Sequence, residues 1–215
     1  MIRLSLPSEG ADPFTILCLG AHSDDIEIGC GATLLHLKKA GVPLRIHWVV
    51  FSATGPRAQE AGVAADLFTS GCEAKVVLQQ FQDGFLPYNG SEVKRAFEEL
   101  KAVNPSLIFT HWGGDAHQDH RLLSELTWNT FRDHLILEYE IPKYDGDLGR
   151  PNVYVPIEAP LYEEKIDHLF KAFQSQQSKR WFDRNTFLGL MRIRGMECNA
   201  SSGYAEGFHC RKMVL

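Results

Sequence analysis

Apolar positions in this 215-residue chain fall in short blocks separated by stretches with helical spacing. Residues 14–19 form an apolar run of strand length, and residues 28–39 follow as an amphipathic stretch that predicts a helix. A Gly41-Val42-Pro43 break leads to a second strand at 44–51, rich in β-branched and aromatic residues. The pattern then predicts a helix over 57–69 ended by Gly71, a strand at 74–78, a helix from Ser91, the expected cap, to Val103 before Asn104-Pro105, and a strand at 106–110. Further on come a helix over 120–134, short strands at 136–141 and 153–157, and a helix over 161–177. The polar loop 142–151 is expected at the surface and at the rim of the site, and residues 201–215 carry no assignable pattern. Strand–helix alternation implies right-handed βαβ units, an α/β fold with a mostly parallel sheet. The length suits one domain spanning residues 1–215, without internal repeats.

Two clusters of ligand-type side chains interrupt this pattern. Ala21-His22-Ser23-Asp24-Asp25 ends the first strand, and His117-Gln118-Asp119-His120 follows the fourth. Strand-to-helix turns are where open α/β sheets place their ligand sites. Where the chain begins to coil, positions three apart share a face, so His22 with Asp25, and His117 with His120, can enter one cavity. Two histidines and a carboxylate that leave one position for water form the pattern of a catalytic zinc centre, whereas structural zinc is usually closed by four ligands rich in cysteine. Asp24 should point a different way, free to act as a base. The plainer reading of the Asp pair, capping of the next helix, is compatible with metal binding.

Ala21-His22-Ser23-Asp24-Asp25 with Gly29-Cys30-Gly31 resembles the AHPDD-type signature of the PIG-L/LmbE zinc N-deacetylases, and His117-Gln118-Asp119-His120 resembles their HxDH-type motif. Arg57-x-x-Glu60, Asp83-Gly84 and Tyr204-Ala-Glu206-Gly-Phe208 extend the likeness from about residue 14 to about residue 208. Ser23 replaces the usual Pro, Ile26 a frequent acidic residue, and Phe173-Gln174-Ser175-Gln176 lacks a histidine common before Ser-Gln. The resemblance implies a Rossmann-like three-layer sandwich. It implies that His22, Asp25 and His120 hold Zn²⁺ and that Asp24 takes the proton from attacking water. His117, expected as the imidazolium, would stabilise the oxyanion or protonate the leaving amine, with Asp119 fixing its tautomer. Arg57 would hold the substrate and Glu60 orient Arg57; the plainer reading of these two is a helix-surface ion pair. The implied substrate is a small N-acetylated amino sugar of the N-acetylglucosamine type, or its conjugate, and the implied assembly is a homo-oligomer. His and Asp ligands also accept iron(II), cobalt(II) and other divalent transition metals.

Twenty-two basic against 27 acidic residues give a formal charge of −5, which argues against nucleic acid as a partner. Residues 1–14 carry one basic residue and no apolar core, so no secretory leader is expected, and no stretch approaches the length of a membrane span. Five cysteines (18, 30, 72, 198 and 210) without CxxC spacing favour reduced thiols and a cytoplasmic location, with Cys18 and Cys30 as small packing residues. The alternative from another class is a Rossmann-like nucleotide or S-adenosylmethionine module built on Gly29-Cys30-Gly31. It lacks the carboxylate such sites want at the end of the second strand, where the chain reads Phe51-Ser52-Ala53-Thr54. A non-catalytic metal-binding homologue is disfavoured, since every catalytic position is filled. Aromatic residues Phe85, Tyr88 and Trp112 lie in loops after strands, where packing is the commoner role than stacking on a sugar. His111 ends the fourth strand near the site, Glu206 is a weak contact candidate, and His134 and His168 are expected on exposed helical faces.

Overall fold

The computed structural model describes residues 13–214; residues 1–12, most of the stretch read for a leader, and Leu215 lie outside the described residues. Among the described residues seven strands form one sheet, in the order β3-β2-β1-β4-β5-β7-β6. β1 (Phe14–His22) runs parallel to β2 (Leu44–Ser52) and β4 (Leu107–His111), β2 to β3 (Glu73–Leu78), and β4 to β5 (Leu135–Tyr139). β7 (Ala205–His209) pairs antiparallel with both β5 and β6 (Val153–Pro156), which makes the sheet mostly parallel.

Alternation along the central strands sorts side chains onto two faces. Ile16 and Cys18 of β1 and Trp48 and Val50 of β2 pack under α1 (Asp25–Lys39), α2 (Pro56–Thr69), α5 (Ala159–Ala172) and α6 (Arg184–Glu197). Leu17, Leu19, Val49 and Phe51 face the other way, onto Val93 and Phe97 of α3 (Gly90–Leu100) and Leu123 of α4 (Gln118–Thr130). Burial on both faces is why β1, β4 and the second half of β2 read as mainly apolar runs rather than as alternating ones, whereas Arg45 and His47 alternate with apolar residues in the first half of β2.

Several boundaries differ from the sequence reading. Ser91 lies inside α3, whose cap position is Asn89, and its hydroxyl donates to the neighbouring Glu92 carboxylate. The helix expected to reach 177 stops at Ala172, after which residues 174–176 tighten into a 3₁₀ turn. α4 ends at Thr130, so His134 lies beyond the helix, half-buried with its ring edge against Phe131. His168 is half-buried on α5 against the Phe68 ring. α6, from a stretch left without an element, and β7, from the unassigned tail, complete the fold. Among the described residues, no helix is long and apolar enough to cross a membrane.

Candidate metal centre

β1 and β4 are neighbours at the point where the strand order changes direction, and the crevice outside their carboxyl ends is where ligands bind in such sheets. His22 ends β1, Asp24 occupies the cap position of α1, and Asp25 is the first helical residue. Asp24 makes no side-chain cap; instead Asp25 folds back so that its Oδ2 accepts the His22 N–H at 2.6 Å. On the adjacent strand His111 ends β4, and His117 caps α4 with its ring, Nδ1 accepting the Asp119 N–H at 3.2 Å. Asp115 fixes the connecting loop: its Oδ1 accepts the His117 N–H at 2.7 Å. Both distant clusters therefore meet at one point.

Three donor atoms converge there. His22 Nδ1 lies 3.1 Å from His120 Nε2 and 3.3 Å from Asp25 Oδ2, and His120 Nε2 lies 3.6 Å from the same oxygen. Tetrahedral ligands about 2.0–2.1 Å from a zinc ion stand about 3.3 Å apart, so the spacing suits one ion. The outer partners aim the lone pairs inward. His22 Nε2 faces Asp83 Oδ1 at 3.1 Å and Asp119 Oδ2 at 3.2 Å, and His120 Nδ1 faces Asp115 Oδ2 at 2.9 Å. With Nε2 of His22 and Nδ1 of His120 facing these carboxylates, His22 Nδ1 and His120 Nε2 are the ring nitrogens directed at Asp25, the usual carboxylate–histidine arrangement behind a metal.

Electrostatics agree with a cation at this point. Burial opposes charge on His22, yet Asp25, Asp119 and Asp83 outweigh it and hold its pKa well above 6.5. Burial likewise opposes ionisation of Asp25, but His120, His111 and His22 hold it well below the usual carboxylate range. Burial and the nearby His111 push His120 down to about 4, so it stays neutral and able to ligate at physiological pH.

Asp24 stands apart from the donor triangle. One of its oxygens accepts from Arg57 Nη2 at 2.7 Å, while the other is buried and has no partner among the described residues. Burial raises its pKa and the Arg57 charge works against that rise. Arg57 also donates to Glu60 at 3.3 Å and lies over the Phe173 ring. Glu60 in turn accepts from the Ser175 N–H and hydroxyl, both at 2.7 Å. Glu60 thus fixes Arg57, and the guanidinium expected to hold substrate is engaged by Asp24.

Two expected pairings take another form. The Asp119 carboxylate accepts the Gly84 and Leu86 N–H groups at 2.8 and 3.1 Å and faces His22, so Asp119 fixes His117 through its backbone N–H rather than its carboxylate. Burial and His22 lower the pKa of His117, which favours the neutral ring over the expected imidazolium. With Nδ1 accepting, its proton sits on Nε2, and a neutral ring can still donate one hydrogen bond.

The sequence reading passed over Asp115 and Lys143 and underweighted His111. His111 is fully buried, its Nε2 3.0 Å from the Ala21 N–H and 3.2 Å from Asp25 Oδ2. Asp115 had a signal, an acid two residues before His117. Glu27 had none: both its oxygens are buried without partners among the described residues, and burial raises its pKa well above 4.5. Glu206 belongs to the fold, pairing with buried Lys165 and accepting the Ala32 and Thr33 N–H groups that tie α1 to β7. Trp112 stacks on His209, whereas Phe85 and Tyr88 form an exposed pair. Gly29 and Gly31 answer the nucleotide-module alternative. A Cβ on Gly29 would lie 2.2 Å from Tyr139 Cδ2 and one on Gly31 2.6 Å from Phe68 Cε1, so these glycines serve close packing of α1.

Comparison with known proteins follows the same line. The family model described as PIG-L, GlcNAc-PI de-N-acetylase, matches residues 17–131. An Escherichia coli K12 protein described as the uncharacterized deacetylase YaiS is 30% identical over 139 residues, 59% of this chain and 74% of that protein. The N,N'-diacetylchitobiose deacetylase of Pyrococcus horikoshii superposes with a TM-score of 0.67 over 93% of this chain and 84% of that one, at 20% identity. GalB, a 4-carboxy-2-hydroxymuconate hydratase from Pseudomonas putida KT2440, superposes with a TM-score of 0.72 over 94% and 97%, at 16% identity. At these identities the two structures speak for the fold alone.

Proposed function

The chain belongs to the PIG-L family of GlcNAc-PI de-N-acetylases, and from that premise we propose that it is a zinc-dependent hydrolase that removes the N-acetyl group from an N-acetylglucosamine-type amino sugar or its conjugate. The observation that carries the reading is the triangle of His22 Nδ1, Asp25 Oδ2 and His120 Nε2 beside an Asp24 oxygen that is buried and unpartnered. Because a hydratase shares the fold, the sheet does not select the bond that is cleaved. Family membership and the relative described as a deacetylase favour the amide.

His22, Asp25 and His120 would hold the ion, which when bound supplies Lewis acidity and brings the pKa of a water from about 15.7 towards ~7. Asp24 accepts the proton of the attacking water on its unpartnered oxygen, while Arg57 holds the other oxygen and keeps the carboxylate in register. The water oxygen bonds to the acyl carbon, and His117 Nε2–H donates to the acyl oxygen as negative charge gathers there. When the C–N bond breaks, the proton on Asp24 passes to the leaving nitrogen, giving acetate and a free amine. Arg57 and Glu60 serve the substrate indirectly, by fixing the base.

The test is a panel of N-acetyl amino sugars and their glycoside and nucleotide conjugates, assayed for freed amine and acetate with and without chelator. Chelator-sensitive release in equal amounts from a sugar amide is the expected result. Turnover that persists in chelator, or a panel on which the zinc-loaded protein frees no amine, overturns it.

A further inference from the structure

Lys143, in the loop 142–151 between β5 and β6, is used by none of the steps above. Its side chain is only 12% exposed, and Nζ lies 3.0 Å from Asp115 Oδ2. The same oxygen faces His120 Nδ1 at 2.9 Å. One carboxylate oxygen therefore serves an ammonium and an imidazole together. Lys143 also pairs with Asp147, and Asp145 lies 3.9 Å away.

We infer that Lys143 is a positioning residue that sets how tightly His120 holds its cation, by drawing charge from the carboxylate behind the ring. The inference rests on the metal site proposed above. A carboxylate that accepts an imidazole N–H raises the donor strength of the opposite nitrogen. An ammonium on the same oxygen withdraws part of that effect, and its own charge adds repulsion of a cation at the site. The two ligating rings are unequal in this respect. Among the described residues, no lysine or arginine pairs with Asp119 or Asp83, the carboxylates behind His22.

Neither Asp115 nor the loop depends on Lys143 for its place. Asp115 accepts the His117 N–H, donates its own N–H to the Trp112 carbonyl at 3.1 Å, and accepts from Arg121 at its carbonyl at 3.1 Å. The loop is tied by Asp147 to the Ala116 N–H at 2.6 Å, by the Gly149 N–H to Glu140 at 3.0 Å, and by Arg194 to the Gly149 carbonyl at 3.1 Å. Removing the ammonium therefore changes charge and leaves the scaffold standing, which fixes the sign of the effect.

The experiment is the zinc dissociation constant of the full chain, stripped and then titrated against a chromogenic chelator at neutral pH. Lys143→Met should bind zinc about three- to tenfold more tightly than wild type, and Lys143→Arg, which keeps the charge, should stay within about twofold. Should Lys143→Met fail to fold, Lys143→Gln carries the same expectation. Affinity unchanged or loosened in the neutral variant overturns the inference, and loosening would mark Lys143 as mere scaffold. A wild-type chain that takes up no zinc fails in a different way: it removes the metal site itself, and this inference with it.

Discussion

Replacing Arg57 with Met probes the base and its support together. In the wild type Arg57 Nη2 donates to Asp24 at 2.7 Å, with side chains 25% and 6% exposed, and the second Asp24 oxygen already lacks a partner. The substitution leaves a buried carboxylate with neither oxygen satisfied. Removing one partner of a buried pair costs about 3–5 kcal/mol, and the quarter exposure of Arg57 places this case at about 3 kcal/mol. For a chain of this size that lowers the melting temperature by about 6–12 °C. The deficit depends on pH. Asp24 has a folded-state pKa above its unfolded value, so its ionised form opposes folding at neutral pH and that penalty disappears as pH falls through the raised pKa. Arg57 lowers this pKa in the wild type, so the gap between variant and wild type should be widest near neutrality and close on acidification. For the same reason the acidic limb of kcat/KM should move to higher pH. In an Asp24→Asn background, removing Arg57 should cost about 1 kcal/mol or less, because no buried charge is orphaned. Chemical denaturation across a pH series measures the stability differences, and a pH–rate profile measures the acidic limb. A single-variant cost under about 1 kcal/mol, or an acidic limb displaced to lower pH, would refute the reasoning.

Three further outcomes follow from the same geometry. Asp24→Asn should retain zinc at near wild-type affinity while kcat falls about 10²- to 10⁴-fold, checked by metal analysis beside turnover; full activity would remove Asp24 from the mechanism. Asp115→Asn weakens the acceptor behind His120, so a chelator competition should show zinc held about 10- to 100-fold less tightly, opposite in direction to Lys143→Met; equal affinity would contradict the assigned orientation of His120. Gly29→Ala drives a methyl into the Tyr139 ring and should cost about 1–3 kcal/mol in a denaturation experiment, whereas a neutral result would mean that α1 is free to shift.

How much of this was legible in sequence depended on whether the determining contacts were local. β1, β2, β4 and β5 were readable to within about three residues because burial on both faces makes their sequences mainly apolar, with few polar interruptions such as Arg45, His47 and Glu138. α6 escaped because one of its buried side chains is Arg194, neutralised by Glu140 from 54 positions away. β7 escaped because it carries Glu206 inward onto Lys165, 41 positions away. Polar residues in the interior read as surface until their partners are known. The site divides in the same way. His22, Asp24 and Asp25 lie within four positions of one another, as do His117 and His120, so their chemistry could be seen in the chain. His111 reaches Asp25 only because β1 and β4 lie side by side, and Lys143 reaches Asp115 only because the loop after β5 folds back. The orientation of Asp119 towards His22 rather than His117 depends on the Gly84 and Leu86 amides, 35 and 33 positions earlier.

The most direct test of the central claim is anomalous diffraction at the zinc absorption edge from crystals of the zinc-loaded chain. The account predicts one strong peak bonded at about 2.0–2.2 Å to His22 Nδ1, an Asp25 oxygen and His120 Nε2, with Asp24 outside the coordination sphere. A peak coordinated by other side chains, or no peak between the ends of β1 and β4, would contradict it.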